Sequence, residues 1–448
     1  MIRFYNSLTR RDESFRPISP ARVGLYTCGP TVHDFAHIGN FRAYAWEDLL
    51  RRHLEFRGFD VLHVMNITDV EDKIIGKARE AGVSIGEWTS KYEDAFFEDA
   101  RTLGILPAHQ YPRATEHVTE MVEIAAELER RGHTYVAEGS LYFRIASFPN
   151  YGQLSGLERE NLVAGARVDS DEYGKDDPAD FVLWKAQQTG EPAWDSPWGP
   201  GRPGWHLECS AMSIKYLGES FDIHTGGVDN KFPHHENEIA QSEGATGKPF
   251  VRYWLHCAHL VVDGEKMSKS LGNFFTLRDL LEQGHDPRHL RHVLIGTHYR
   301  KPLNFTTKAL DQARSELSRI DDLRARLKSE VRGEAGQGGH VDRIEAAGAA
   351  FAEQLDEDLN ISGALGELFK LVRELNSALD RGDAGPSDGE AFERLVADLD
   401  RVVGTLMGSG GEESVDPEVE ALVEARQKAR ASRDFAEADR LRDQLAAR

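Results

Sequence analysis

A few short groups of residues in this sequence have the types and spacing that chemistry requires. The first is His37-Ile38-Gly39-Asn40. Its histidine and asparagine can turn side-chain donors toward one point. A helix beginning there adds unpaired backbone N–H groups and the positive end of a helix dipole, which suits a phosphate. Gly39 lets a ligand approach the backbone closely. Taken alone, these four residues read equally well as a turn carrying a surface histidine. The second group is Lys266-Met267-Ser268-Lys269-Ser270, bracketed by Gly264 and Gly272. Two lysines and two hydroxyls on a glycine-flanked loop make a cationic clamp that can follow phosphoryl charge as it builds. A lone lysine-serine loop is ordinarily just solvated. The third is His234 and Glu238, which share one helix face if a helix starts at Pro233. The cysteines, Cys28, Cys209 and Cys257, are too few for a disulfide framework in 448 residues. Each by itself reads as a buried structural side chain.

Other patterns fail on inspection. Gly199-Pro200-Gly201-Arg202-Pro203-Gly204 has the glycine spacing of a dinucleotide loop, but its prolines remove donors and no strand-to-helix context surrounds it. No Gly-Lys pair is followed by Ser or Thr, and His235-Glu236 lacks the second histidine of a metalloprotease helix.

In this order and at this separation, the first two groups resemble the HIGH and KMSKS signatures of class I aminoacyl-tRNA synthetases. Four longer strings resemble the cysteinyl-tRNA synthetases in particular. They are Tyr26-Thr27-Cys28-Gly29-Pro30-Thr31-Val32, Asn66-Ile67-Thr68-Asp69, Pro203-Gly204-Trp205-His206-Leu207-Glu208-Cys209-Ser210 and Pro233-His234-His235-Glu236-Asn237-Glu238. The likeness continues more weakly in the C-terminal third, as at Asp358-Leu359-Asn360. It implies a ligase that forms cysteinyl-adenylate from cysteine, ATP and Mg²⁺ and then loads the terminal adenosine of tRNA(Cys). It implies one Zn²⁺ per chain on Cys28, Cys209, His234 and Glu238, a set that spacing alone does not join. His37, Asn40, Lys266 and Lys269 become the catalytic groups. Gly39, Gly227, Asp229 and Lys269 fall on the nucleotide, and Cys28, Thr68 and Trp205 around the amino acid. Zinc prefers thiolate to hydroxyl, so serine is refused without an editing domain. One departure is Asn40 where the signature has histidine. Asparagine keeps a donor but carries no charge, so activity is expected to survive with an altered pH dependence. Two alternatives share parts of this reading: a mycothiol-type ligase with a small amine acceptor, and a relative that binds zinc and nucleotide without catalysis. Thr31-Val32-His33-Asp34 and the helical C-terminal third favour tRNA, and the lysine loop speaks against inactivity.

These residues need a frame. Val23–Thr27 and Val61–Met65 read as buried strands, with a helical pattern from Phe41 to a stop at Gly58 between them. That is a βαβ unit, hence a parallel sheet with ligands at the strand C-terminal ends. The expected fold class is α/β: a Rossmann-like catalytic domain in two halves, 1–95 and 196–305, split by a connective insertion over 96–195. A helical tRNA-binding bundle follows over 306–407, marked by the stripe Leu310, Ala313, Leu317, Ile320, Leu323 and Leu327. A short helical segment, 416–448, ends the sequence. Many relatives continue with a strand-rich tail, so the mode of anticodon-end recognition stays open.

The 54 basic and 75 acidic residues give −21, so RNA contact requires clustered cations. Arg288, Arg291, Arg300 and Lys301 form one candidate cluster, and Arg426, Lys428, Arg430 and Arg433 another. With no long apolar segment and no disulfide pattern, the expectation is a cytoplasmic monomer without a membrane span.

Overall fold

Strands buried on both faces need continuous apolar runs, as parallel sheets do. In the computed structural model, which describes residues 1–157, 177, 179–268, 271–331, 339–407, 440, 441 and 444, four such strands lie side by side. Their order is Val251–Cys257, Phe221–Gly227, Arg22–Thr27 and Asp60–Met65, all parallel. Arg22–Thr27 leads through helix Ile38–Phe56 to Asp60–Met65 on one side. Phe221–Gly227 leads through helix Glu236–Thr246 to Val251–Cys257 on the other. The chain thus turns in opposite directions from the two central strands, where Thr27 pairs with Thr225. At such a switch point the strand ends leave a crevice for a ligand.

Between the halves lie helices Asp72–Ala81, Ile85–Thr102 and Val118–Arg130. An antiparallel sheet follows, with Thr134–Ala137, Ser140–Phe143, Phe181–Ala186 and Gly201–Pro203 in sequence order. The span 96–195 holds three of these strands; Gly201–Pro203 lies beyond it, and helix Ile85–Thr102 runs across its start. The C-terminal third packs helices Thr307–Glu330, Val341–Asp356, Ile361–Arg381 and Pro386–Val403. Every residue of the anticipated stripe from Leu310 to Leu327 is buried. Met1–Leu406 forms one compact unit and Met407–Arg448 a second, of which residues 440, 441 and 444 are helical.

Helix Ile38–Phe56 is buried almost all round, including Arg42, Glu47, Asp48 and His53. Polar side chains pay their desolvation only by finding partners. Arg42 donates to the carbonyls of Leu294, Thr297 and His298. Asp48 accepts from Arg52 at 2.7 Å, from Leu106 N at 2.9 Å and from Arg291 at 2.5 Å. His53 and Arg57 meet Asp356 of the bundle at 2.9–3.0 Å. These contacts correct the expected cationic cluster. Arg291 is 1% exposed and also donates to the carbonyls of Val403, Leu103 and Gly104. Arg288 is spent on Asp321 and on the carbonyls of Thr405 and Leu406, and Arg300 on Asp358. These three arginines bind the fold together, whereas Lys301 is exposed. Arg426, Lys428, Arg430 and Arg433 lie outside the described residues.

Replacing Asp48 with alanine leaves the buried Arg291 guanidinium without its anion. The expected cost is about 3–5 kcal/mol, read as a lower urea midpoint; an unchanged midpoint would show that the carbonyls alone suffice.

Candidate active site

A cleft of about 940 Å³ opens at the switch point. It is lined by Cys28, His37, Gly39, Asn40, Thr68, Trp205, Cys209, Gly227, Asp229, His234 and Lys266 among others. Glu238 lies behind it, fully buried. Lys269 lies outside the described residues.

His37 is the N-cap of helix Ile38–Phe56. Its Nδ1 accepts from Asn40 N, and Asn40 Oδ1 accepts from His37 N, each at 3.1 Å. This capping box settles two orphan donors of the first turn. An Nδ1 that accepts leaves the ring proton on Nε2, and an Asn40 whose oxygen is engaged offers its amide N–H groups. Ile38 N donates to Phe275 O at 3.0 Å. Gly39 N is then the one first-turn amide without a partner among the described residues, and Gly39 lines the cleft. Its lack of a side chain has a local cause as well: a Cβ there would lie 2.9 Å from the His37 ring and 3.2 Å from Met267. The glycine therefore lets the histidine fold over the helix end and lets the Lys266 loop sit against it. The His37 ring meets Phe274 edge-on at 5.3 Å. Asn273 ties the loop's two arms, accepting from Ser268 N at 2.8 Å and donating to Lys266 O at 3.3 Å. Lys266 itself is exposed at the cleft.

At the floor, ligand-type atoms of Cys28, Cys209, His234 and Glu238 all lie within 4.8 Å of one another. The helix expected from Pro233 starts at Glu236, preceded by a wider π turn, Lys231–His235. His234 and Glu238 still converge, with Nε2 and Oε1 3.2 Å apart. Glu238 Oε1 is buried and has no hydrogen-bond partner. Burial pushes the Cys28 thiol and the Glu238 carboxyl up, and it pushes His234 well below the ordinary histidine range, with His206 and His224 adding to that effect. The fold therefore favours neutral groups there, and a divalent cation would reverse the balance for thiol and carboxyl. Two sulfurs, an imidazole nitrogen and an orphaned carboxylate oxygen fit a thiophilic divalent ion.

A second set shares Cys28 and Glu238 with His224 and His235. There His224 Nε2 already meets Glu238 Oε2 at 2.9 Å, and His235 Nε2 meets Cys28 Sγ at 3.2 Å. Those histidines serve as props: His235 leans on His256 at 2.9 Å, and His256 on Ser7 at 2.8 Å. His206 and His234 share a proton across 2.8 Å between their Nδ1 atoms. In the first set Cys28, Cys209 and His234 all line the cleft, whereas in the second Cys28 alone does. Trp205 stacks on His234, ring centres 4.2 Å apart, and Cys257 is buried at the cleft wall. Asp229 stands exposed at the rim. The supporting histidines escaped sequence analysis. A trace was present, since Asp222 and His224 interrupt a strand that burial should keep apolar.

Glu47 was also missed. It lines the cleft, accepts from Thr225 Oγ1 at 2.9 Å, and burial pushes its pKa up to about 8.

Comparisons with known proteins point one way. A family model described as the tRNA synthetase class I (C) catalytic domain matches residues 14–315. A DALR domain matches 350–408, and a cysteinyl-tRNA ligase anticodon binding domain matches 412–448. The last match covers the stretch expected as a short helical segment, 416–448, for which the mode of anticodon-end recognition had been left open. The cysteine–tRNA ligase of Brachyspira hyodysenteriae is 50% identical over 454 residues, covering 99% of this chain and 95% of its own. That of Solibacter usitatus is 50% identical over 448 residues, covering 100% and 96%. Among solved structures, Mycobacterium tuberculosis methionyl-tRNA synthetase with methionyl-adenylate superposes with TM-score 0.63 at 15% identity, over 93% of this chain and 96% of that one.

Two outcomes are expected. Cys209→Ser and His234→Ala should each lose the bound divalent metal by elemental analysis while helical circular dichroism persists; retention in both would disqualify the set. An unfolded glutamate titrates near 4.3, so between about 4.3 and 8 the folded state holds a Glu47 proton that the unfolded chain has lost. Stability then falls as pH rises through that window. Glu47→Gln should gain on the parent protein between pH 5 and pH 8 in urea midpoints, and parallel curves would remove the assignment.

Proposed function

The chain belongs to the cysteinyl-tRNA synthetases, which join cysteine to tRNA at the expense of ATP, and we propose that zinc in the Cys28–Cys209–His234–Glu238 set selects the cysteine. When bound there, zinc supplies a soft Lewis acid that favours the substrate's sulfur over the hydroxyl oxygen of serine. The protein's own groups do the rest by placement and electrostatics. Trp205 closes the amino-acid pocket against His234, with Thr68 and Cys28 on its other walls. Gly227 and Asp229 hold the adenosine ribose. The Gly39 amide, the His37 Nε2–H and the Asn40 amide donate to phosphate oxygens, with Mg²⁺ arriving on ATP. Lys266 and Lys269 neutralise the charge that grows as the cysteine carboxylate attacks the α-phosphorus and pyrophosphate departs. The ribose hydroxyl of the terminal tRNA adenosine then takes the cysteinyl group and releases AMP. No protein nucleophile takes part.

What supports this reading above all is the convergence of a phosphate-seeking helix end and a metal-competent group on one cleft. The chain is further read as a monomer of the cytoplasm: its cysteines fit a reducing compartment, and no helix among the described residues is long and apolar enough to cross a membrane. Purified protein with ATP, Mg²⁺ and total tRNA should charge labelled cysteine and leave serine uncharged. Lys266→Ala and Lys269→Ala should each slow cysteine-dependent pyrophosphate exchange by about 10²–10³-fold with metal content intact. Serine charging, or metal loss in the lysine variants, would refute the assigned roles.

A further inference from the structure

We infer that Glu208 is a positioning residue for the substrate's α-ammonium group, acting through the hydroxyl of Thr68. This deepens the reading of cysteine as the bound amino acid and rests on it. Glu208 and Thr68 are each 1% exposed. Thr68 lines the cleft, whereas Glu208 stands behind it.

The hydrogen bonds between them have a fixed polarity. Gly29 N, which can only donate, meets Asn66 Oδ1 at 2.9 Å. Asn66 must then present its other end, Nδ2, to Thr68 Oγ1, at 3.2 Å. The Thr68 hydroxyl, having accepted there, gives its own proton to Glu208 Oε2 at 3.0 Å. A hydroxyl has one proton and two lone pairs. With the proton and one lone pair committed, Thr68 has a single lone pair left to offer the cleft. It can receive an N–H from an ammonium and has nothing to donate to a carboxylate. Without Glu208 the hydroxyl could rotate and turn its proton toward the ligand, cancelling that preference.

The placement also links the two ends of the substrate. Gly29 follows the ligand-type Cys28, and Glu208 precedes the ligand-type Cys209. The segments that bring sulfur ligands to the floor therefore also hold both ends of the Gly29–Asn66–Thr68–Glu208 chain. In cysteine the thiol and the amine are only a few bonds apart, so one rigid assembly can measure that separation. Gly29 makes the approach feasible, since a Cβ there would lie 1.7 Å from Asn66 O. Trp205, Glu208 and Cys209 project from one face of helix Trp205–Leu217 at i, i+3 and i+4.

The test compares two thiols that differ in the amine: cysteine, and 3-mercaptopropionate as a competitor in cysteine-dependent pyrophosphate exchange. In Glu208→Ala and Thr68→Val the KM for cysteine should rise about 10- to 100-fold. The inhibition constant of 3-mercaptopropionate, the KM for ATP and the bound metal should stay unchanged. Glu208→Gln, whose amide oxygen still accepts from Thr68, should restore most of the affinity for cysteine. Equal weakening of both thiols in Glu208→Ala would mean a merely structural role and overturn the inference, as would an unchanged KM for cysteine. Absence of exchange in the parent protein would count against the ligase reading instead. Calorimetric titration of the metal-loaded protein with the same two thiols would still decide the role of Glu208.

Discussion

Much of this structure turns on the meeting of Cys28, Cys209, His234 and Glu238, the last three buried, where one carboxylate oxygen has no hydrogen-bond partner and only the His234 ring nitrogen 3.2 Å away. The two thiols and the carboxyl repel one another once ionised, and burial penalises each charge further. Much of the surrounding polar structure can be understood as bracing for that arrangement. His224 holds the second oxygen of Glu238, and His235 holds the Cys28 sulfur. His256 holds His235 and is itself held by Ser7 near the N-terminus. Such outer partners fix the orientation of ligating side chains and thereby their basicity. The neighbours of His234 and Glu238 in sequence carry the bracing outward. Glu236 accepts from the backbone of Gly152, Leu154 and Ser155, and Asn237 accepts from Tyr151. One short stretch of chain thus serves the floor of the cleft and the insertion above it.

Helix Ile38–Phe56 is the second element on which much depends. Its N-terminus opens on the cleft, and the helix is bolted through Arg42, Asp48 and His53 to the segments leading into the helical bundle and to the bundle itself. A continuous apolar cluster reinforces the bolts, running from Ile38, Phe41 and Leu49 to Leu317, Leu368 and Phe392. A helix is stiff along its axis, so the cleft and the bundle are held at a fixed separation within this compact unit. A ligase that must present a distant tRNA end to an adenylate has use for that rigidity.

Much of this was legible in the sequence. Apolar runs announced the central strands because strands buried on both faces leave no choice of residue. The Leu310–Leu327 stripe announced a packed helix because a 3.6-residue period leaves one face dry. Charged residues misled. Arg288, Arg291 and Arg300 look like a cationic patch along the chain, but their partners are carbonyls and carboxylates far away in sequence. Composition carries no trace of such long-range satisfaction. Glu47, Glu208 and His224 were missed for the same reason, since a buried polar residue is indistinguishable from an exposed one until its partners are known. The grouping at the floor needed the family resemblance, because nothing local connects Cys28 to Cys209.

Asn40 shows how a departure from a signature can follow from geometry. The residue at this position is N3 of the helix, where its side chain must first accept the N–H of the capping residue. The oxygen of asparagine does this, and the same side chain retains a donor on its nitrogen. His37 makes the matching exchange, giving up Nδ1 to the helix end and keeping the proton on Nε2. The two side chains thus use one atom each to close the turn, and Asn40 retains its nitrogen donor beside the Gly39 amide. A charged imidazolium is not required for that geometry. What the position demands is an acceptor and a donor on one short side chain, and asparagine supplies both at every pH where the fold is stable.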